Sequence, residues 1–434
     1  MNRFRWICLS FLILAGCGGP PITPVTEIFA SASDSPATAE ESEVKTQPDD
    51  WPCWRGPNSD GIAYGPAVPT RWTASENVKW KAKIPGRGHS SPIIVGERIY
   101  LETADEKDQT QSVLCLDRAD GHQIWQTRLH KGKLEWKVHE ENTQASTTLA
   151  CDGECLYALF LNDHHIWASA LDLDGNELWK KSIGSFDSKF GFSSSPVIFR
   201  SIVLFAADHQ HGGFIVGLRC KDGSVVWRKK RPAKSSYASP RVVSLGGRDQ
   251  MVIGGCGLLC SFDPLTGGEI WKRKGTAEAG VGTPVVVDDI VMASGGYPES
   301  STIAVDAKGK VVWEEKIKSY VPSMITHEGH LYIVPDDGVF HCLEVKTGKE
   351  TWKKRIGGNF RVSPVLSDGN IFTTDMSGKT TVFKANPAKF ELVAENKLGD
   401  EAFASPAISR GQMFVRVADS SNGPRQEWIY CIGQ

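Results

Sequence analysis

The sequence lacks an excess of charge of either sign: 49 Lys and Arg residues stand against 51 Asp and Glu in 434, a formal charge of −2. That balance excludes a generic binder of nucleic acid or of anionic membranes, which needs a clear basic surplus. Several catalytic signatures are missing too. There is no Gly-x-Ser-x-Gly, no P-loop, no His-Glu-x-x-His and no Cys-x-x-Cys-His haem attachment site. His327-Glu328-Gly329-His330 only approaches one of these, and it falls where a polar hairpin tip is expected. The apolar run Trp6–Leu14 is too short to span a bilayer as a helix. A hydrophobic share of 40%, with 43 Gly and 14 Trp, rules out both disorder throughout and a long coiled coil. What remains is a chain with many tight turns and many bulky packing anchors.

Arg3 and Arg5 ahead of the short apolar run suit an export signal. The run closes on Leu14-Ala15-Gly16-Cys17, which looks like the lipobox of bacterial lipoproteins. In that reading residues 1–17 are the signal, and Cys17 takes a diacylglycerol that anchors the chain to a membrane; a plain secretory signal with a chance Cys is the alternative. Gly18 after Cys17, in place of Asp, points to the outer membrane under the proteobacterial sorting rule, with the protein on the periplasmic face. Residues 18–50 are rich in Pro, Ser, Thr, Ala and Glu and nearly free of aromatics. Such a segment buries too little apolar area to offset its ordering entropy, so a flexible tether is expected, with the folded domain over 51–434.

A repeat follows. Six tryptophans stand four residues after a glycine: Gly121/Trp125, Gly175/Trp179, Gly223/Trp227, Gly267/Trp271, Gly309/Trp313 and Gly348/Trp352. The glycine usually follows Asp or another polar residue, as in Asp120, Asp174 and Asp222. This is hairpin-turn chemistry leading into a Trp-bearing strand. About thirty residues before each Trp lies a second landmark: Ser91-Pro92, Ser195-Pro196, Ser239-Pro240, Thr283-Pro284, Ser363-Pro364 and Ser405-Pro406, with Thr147-Thr148 and Ser323-Met324 as degenerate copies. Each opens a short β-rich run, where Pro costs no ladder donor.

Two further strand-like runs lie between the landmarks, so each unit is four short strands with a period of about 40–50 residues, the mark of a β-propeller. The seventh unit has lost its Trp near Val393–Ala394, and the eighth stops one strand short after Cys431. The missing strand is Asn77–Ile84, which carries Trp80 without a preceding turn. The expectation is therefore an all-β, eight-bladed propeller of four-stranded antiparallel blades, closed by its N-terminal strand. Trp80, Trp125, Trp179, Trp227, Trp271, Trp313 and Trp352 dock one blade on the next.

The repeat gives bland explanations for several conspicuous residues. Cys115, Cys342 and Cys431 share one third-strand position with Ala170, Gly217, Ser261 and Ala304, a small packing site. Cys151/Cys155 and Cys256/Cys260 have paired spacing, yet no other pair completes a metal set. A local disulfide between Cys151 and Cys155 stays open. Basic tails after the tryptophans, such as Lys180-Lys181 and Arg228–Arg231, suit outer edge strands, where charge opposes sheet aggregation.

These motifs resemble the pyrroloquinoline-quinone (PQQ)-like propeller repeat, with its opening Ser-Pro, Asp-Gly turn and docking Trp, over essentially residues 51–434. Trp51-Pro52-Cys53-Trp54-Arg55-Gly56-Pro57, Gly86–Pro92 and His139-x-x-Asn142 look like those of exported planctomycete-type propeller lipoproteins. The resemblance implies one of two classes. Quinoprotein dehydrogenases hold PQQ and Ca²⁺ at one end of the channel. The propeller lipoprotein of the outer-membrane β-barrel assembly machine is non-catalytic. No Cys-Cys pair is present, and no Glu/Asn/Asp set is assignable to Ca²⁺. Fold alone does not supply the function. The reading adopted is a monomeric, non-catalytic scaffold that needs no cofactor and binds a protein or peptide partner in the envelope, with a PQQ/Ca-dependent dehydrogenase as the alternative.

One ligand site suggests itself from topology. In an up-and-down blade the 2–3 and 4–1 loops leave by the same face, and those of the first three blades carry His89, His139, His164, His165, His209 and His211. Imidazoles with nearby carboxylates are ligands for zinc or an anionic group. The alternative is a scatter of exposed loop residues.

Overall fold

The computed structural model describes residues 45–135, 138–421 and 423–434. The export signal, Cys17 and residues 18–44 lie outside the described residues. The rest forms thirty-three strands and no helix, so among the described residues no helix is long and apolar enough to cross a membrane.

Eight antiparallel sheets follow one another around a ring. Blade 1 comprises Ile93–Val95, Arg98–Asp105, Thr110–Asp117 and Gln123–Lys131, running from the axis outward. Blades 2 to 7 repeat this plan, with inner strands Ala150–Cys151, Val197–Phe199, Arg241–Leu245, Val285–Val287, Ile325–His327 and Val365–Ser367. Blade 8 takes Ala407–Ser409, Gln412–Asp419 and Gln426–Ile432 from the C-terminus and completes itself with Val78–Ile84, which pairs antiparallel with Gln426–Ile432 (Trp80 opposite Cys431).

The repeat chemistry sets how blades meet. Each Trp faces the small third-strand position across the ladder: Trp125 opposite Cys115, Trp227 opposite Gly217, Trp313 opposite Ala304, Trp352 opposite Cys342. The residue before it is bulged out of register, which re-aims the indole toward the next blade. There the ring lies on the glycine of the following turn, and its Nε1 donates to a carbonyl two or three residues earlier. Trp80 reaches Arg118 O at 3.0 Å, Trp125 Leu173 O at 3.1 Å, Trp179 Cys220 O at 2.8 Å and Trp227 Pro264 O at 3.0 Å. Trp313 and Trp352 do the same to Val345 and Asn386, whereas Trp271 turns to Gln250 Oε1 within its own blade.

The glycine is therefore needed twice. Gly223 has φ +70°, and a Cβ there would stand 2.6 Å from the Trp179 ring. Replacing Gly223 with Ala adds left-handed strain to a clash and should cost about 2–3 kcal/mol, read as a lower urea midpoint with unchanged slope.

Blade 7 lacks the Trp. Ala394 takes its register opposite Val382. Trp72, only 4% exposed, packs into the same cluster as Ala394, Val382 and Phe372, stacked on Phe372 at 6.3 Å. Its segment is held by Asn396, whose Oδ1 accepts from Trp72 N and whose Nδ2 donates to Thr70 O.

The Ser-Pro landmarks have a second use beyond starting strands. Their hydroxyls form a belt of hydrogen bonds around the channel. Ser91 N donates to Thr148 Oγ1, Thr148 N to Ser195 Oγ, and Ser195 N to Ser239 Oγ. The belt resumes from Thr283 N to Ser323 Oγ, Ser323 N to Ser363 Oγ, Ser363 N to Ser405 Oγ, and Ser405 N back to Ser91 Oγ. Thr283 Oγ1 accepts from Trp54 Nε1 instead.

One boundary expectation changes and one open question is answered. Residues 45–50, placed in the tether by composition, are docked on the propeller. Lys45 N donates to Asp152 O, Asp50 is 2% exposed and accepts from Gly96 N, and Arg410 pairs with Asp49 at 3.0 Å. Their carboxylates find fixed donors that a composition count does not register. The open question at Cys151 and Cys155 also resolves: both are free. Cys151 pairs with Leu156 across the ladder, so Cys155 is one residue out of register and faces the opposite side of blade 2.

Candidate functional site: the two mouths of the axial channel

Inner strands start at the Ser/Thr belt, so the channel has an upper mouth above it, built from 4–1 loops, and a lower mouth toward the 1–2 hairpins. The segment from Trp51 to Gly61 occupies the channel between them. Trp51 bridges Ile94 of blade 1, Pro52 O accepts from Cys151 N of blade 2, and Gly61 O accepts from Leu366 N of blade 7. Arg55 Nη2 donates to Met324 O of blade 6 and to Asp60 O. Ile62–Ala63 then adds to the inner strand of blade 7 as a parallel fifth strand. The Trp51–Pro57 motif is thus a plug. Its Arg55 is 3% exposed, and burial followed by repulsion from Arg241, against the attraction of Asp60, brings the guanidinium down to about 9.

The upper mouth holds a cavity of about 170 Å³ with Trp54 as its floor. Aromatic rings line it: His89 stacks on Phe403 at 4.2 Å, His139 leans on Phe190 at 4.7 Å, and Tyr237 and Tyr320 close the far side. Burial, then the neighbouring Arg87, Arg416 and Arg425, hold His89 well below the usual imidazole range, so it stays neutral. Its Nε2 has no hydrogen-bond partner. Arg361 is the charged group at the rim, bound to Glu141 at 2.9 Å and to Asp336 at 3.1 Å. Calcium needs six to eight converging oxygens, whereas here a guanidinium stands between the two carboxylates. This donor set does not fit a Ca²⁺–PQQ pair.

Of the six histidines singled out from sequence, only His89 and His139 line this cavity. His164 pairs with Glu135 at 3.0 Å in an exposed turn, and His165 Nδ1, at the exposed start of the next strand, lies 2.7 Å from Asp163 O. His209 packs on Phe186, with the His211 ring 6.3 Å away and His211 in turn 3.2 Å from Asp187. Among the described residues, the one group of three metal-type ligands within 4.8 Å is Asp117, Asp120 and His122, which contains none of the six. Asp120 and His122 are exposed and Asp117 half-buried, and the two carboxylates already accept N–H groups of the blade 1 turn.

Beside the belt lies a group the sequence did not flag. Glu102 is fully buried, with Oε2 2.5 Å from Thr147 Oγ1, which also stands 2.6 Å from Leu159 O. One hydroxyl has one hydrogen, so both contacts are satisfied only when the Glu102 carboxyl donates. Burial raises this carboxyl to about 8 against an ordinary 4.5, despite the Thr147 and Arg416 contacts. Below about 4.5 it is protonated folded or unfolded; between 4.5 and 8 only the folded state keeps the proton, so its contribution to stability falls as pH rises through that window. Glu102→Gln should flatten that decline and raise Tm at pH 8, by an amount corresponding to a few kcal/mol, measured by thermal melts from pH 5 to 9.

The lower mouth is wider, with cavities of about 860 Å³ and 690 Å³ on either side of residues 60–64. Its floor carries Asp60 and the buried Arg241, 4.0 Å apart. Its walls are the half-buried inner strands of blades 3, 4 and 5, and exposed Asp288, Asp289, Glu328 and Asp368 stand at its rim.

Fold and mouths together define a closed, internally plugged propeller of the PQQ-like repeat class. A family model described as outer membrane protein assembly factor BamB matches residues 70–214 and 109–354, and the chain belongs to that family. It is 24% identical over 346 residues to the outer membrane protein assembly factor BamB of Yersinia pestis, covering 76% of this chain and 82% of that protein. It is 22% identical over 345 residues to the tetrathionate hydrolase of Acidithiobacillus ferrooxidans, covering 68% of this chain but only 64% of that enzyme. Among solved structures, BamB from Moraxella catarrhalis superposes with a TM-score of 0.56 at 16% identity, covering 80% of this chain and 98% of that one. A europium-containing methanol dehydrogenase superposes at 0.63 with 13% identity, covering 87% and 90%. At such identities the structural likeness establishes the fold.

Proposed function

We propose that this protein is a non-catalytic scaffold of the cell envelope that holds a protein partner, carried to its membrane by a lipid on Cys17. Membership in the BamB family is the observation that carries the reading. The geometry supports it: Arg361 already pairs with both Glu141 and Asp336 in the upper mouth, and His89 has no carboxylate partner to make it a base.

Crosslinking of the full chain in envelope membranes should trap a defined partner, and Cys17→Ala should move the chain from the membrane to the soluble fraction. Purified protein titrated with PQQ and Ca²⁺ should show an unmoved Tm, because a ligand of the native state raises it. Saturable micromolar binding with dye reduction by an alcohol would replace this reading with the dehydrogenase one.

A further inference from the structure

The plug is asymmetric. At the third residue after each landmark Ser/Thr, the inner strand turns its backbone N–H and C=O toward the channel. Ile94 uses both groups on Trp51, Cys151 N donates to Pro52 O, and Leu366 N donates to Gly61 O. The equivalent residues of blades 3, 4 and 5 are Ile198, Val242 and Val286. Each sits in a half-buried stretch lining the lower mouth, and the plug makes no backbone hydrogen bond to any of them. Their sheets have four strands, whereas blade 7 has taken a fifth. Three adjacent inner edges therefore present unpaired backbone groups inside a funnel, in a ring whose blade 7 edge already shows strand addition.

The rim states what kind of segment fits. Asp288 and Asp289 at the blade 5 hairpin, Glu328 at blade 6 and Asp368 at blade 7 are exposed. Asp249 of blade 4 joins them, with Arg200 at 3.9 Å as its nearest ion partner. Below the rim the walls are apolar: Ile198, Phe199, Val242, Val243, Val286 and Val287. Arg241 lies beneath, facing Asp60. The chain's own residues 18–44 carry five carboxylates and no Lys or Arg, so the rim repels them.

We infer that the lower mouth binds an extended basic segment of a protein partner, which adds as a strand to the inner edges of blades 3–5 while its Lys or Arg side chains meet the carboxylate rim. This rests on the scaffold reading and assigns that scaffold a face and a partner chemistry.

The test uses the full chain and a labelled peptide of alternating valine and lysine, followed by fluorescence anisotropy. Binding should be saturable, at least tenfold weaker for the glutamate counterpart, and weakened by salt. Asp288→Lys with Asp289→Lys should lower affinity tenfold or more. Val286→Pro removes one inward N–H without touching the ladder and should weaken binding at least fivefold with Tm unchanged, whereas Val286→Ala, which keeps that N–H, should bind as the parent does. Equal binding of the acidic peptide, or affinity unaltered by both the rim and the proline variants, overturns the inference. If the rim and proline variants still crosslink a native partner in membranes as the parent does, the scaffold reading stands and this face is wrong; loss of all crosslinking by the parent sinks the scaffold reading itself.

Discussion

A chain beginning at Pro85 is expected to lose its cooperative fold and associate through the exposed edge of Gln426–Ile432. Val78–Ile84 supplies the outer strand of blade 8, and Trp80 supplies the contact that seals blade 8 to blade 1, its ring on Gly121 and 6.0 Å from Phe414. The same cut removes the plug with its buried Trp51, and also the buried Trp72 of the blade 7 interface. Removing one buried Trp side chain costs about 3–5 kcal/mol, and a domain has only about 5–15 to lose. Size-exclusion chromatography and near-UV circular dichroism read the outcome. The milder Trp80→Ala should cost about 3–5 kcal/mol in urea. A monomeric, cooperatively unfolding truncated chain would show that the ring closes by some other contact.

Asp208→Ala should be nearly as damaging. Asp208 and Arg231 form a bidentate pair at 2.9 and 2.8 Å, with both side chains 3% exposed or less. Burial pulls the guanidinium down, but the carboxylate outweighs it and Arg231 is held above its ordinary value. Removing Asp208 strands a buried cation, at a cost of about 3–5 kcal/mol. Asp208→Leu combined with Arg231→Met should recover most of the loss, because no charge is left unpaired. A urea double-mutant cycle measures this, and additive losses would contradict it.

The blades were legible because their chemistry is local and repeated. A glycine four residues before a Trp serves one hairpin and one interface, so the spacing survives while neighbouring residues drift. The small third-strand position was legible for the same reason, since Cys115, Ala304 and Gly217 fill one slot under an indole. Ala394 marked a missing Trp, but nothing local revealed that Trp72, some 320 residues earlier, fills that interface.

The site was less legible. The histidines were grouped by face, yet a shared face spans the width of a ring, and only His89 and His139 come near the axis. Ser-Pro announced a strand start, but a belt needs eight strand starts at one height, a property of the ring alone. Asp49 and Asp50 looked like tether because their partner, Arg410, is 360 residues away.

The residue order by itself determined the four-strand unit, the number of blades, the docking tryptophans and the strand that closes the ring, since each depends on contacts a fixed short distance apart or on matching two ends of one repeat. Only the tertiary structure decided that Trp51–Gly61 fills the channel, that the hydroxyls join into a belt, that Glu102 keeps its proton, and that three inner edges stay open inside an acidic rim. Those features arise where eight separate units converge on one axis, and the distances there are set by closure of the circle, which no single unit encodes.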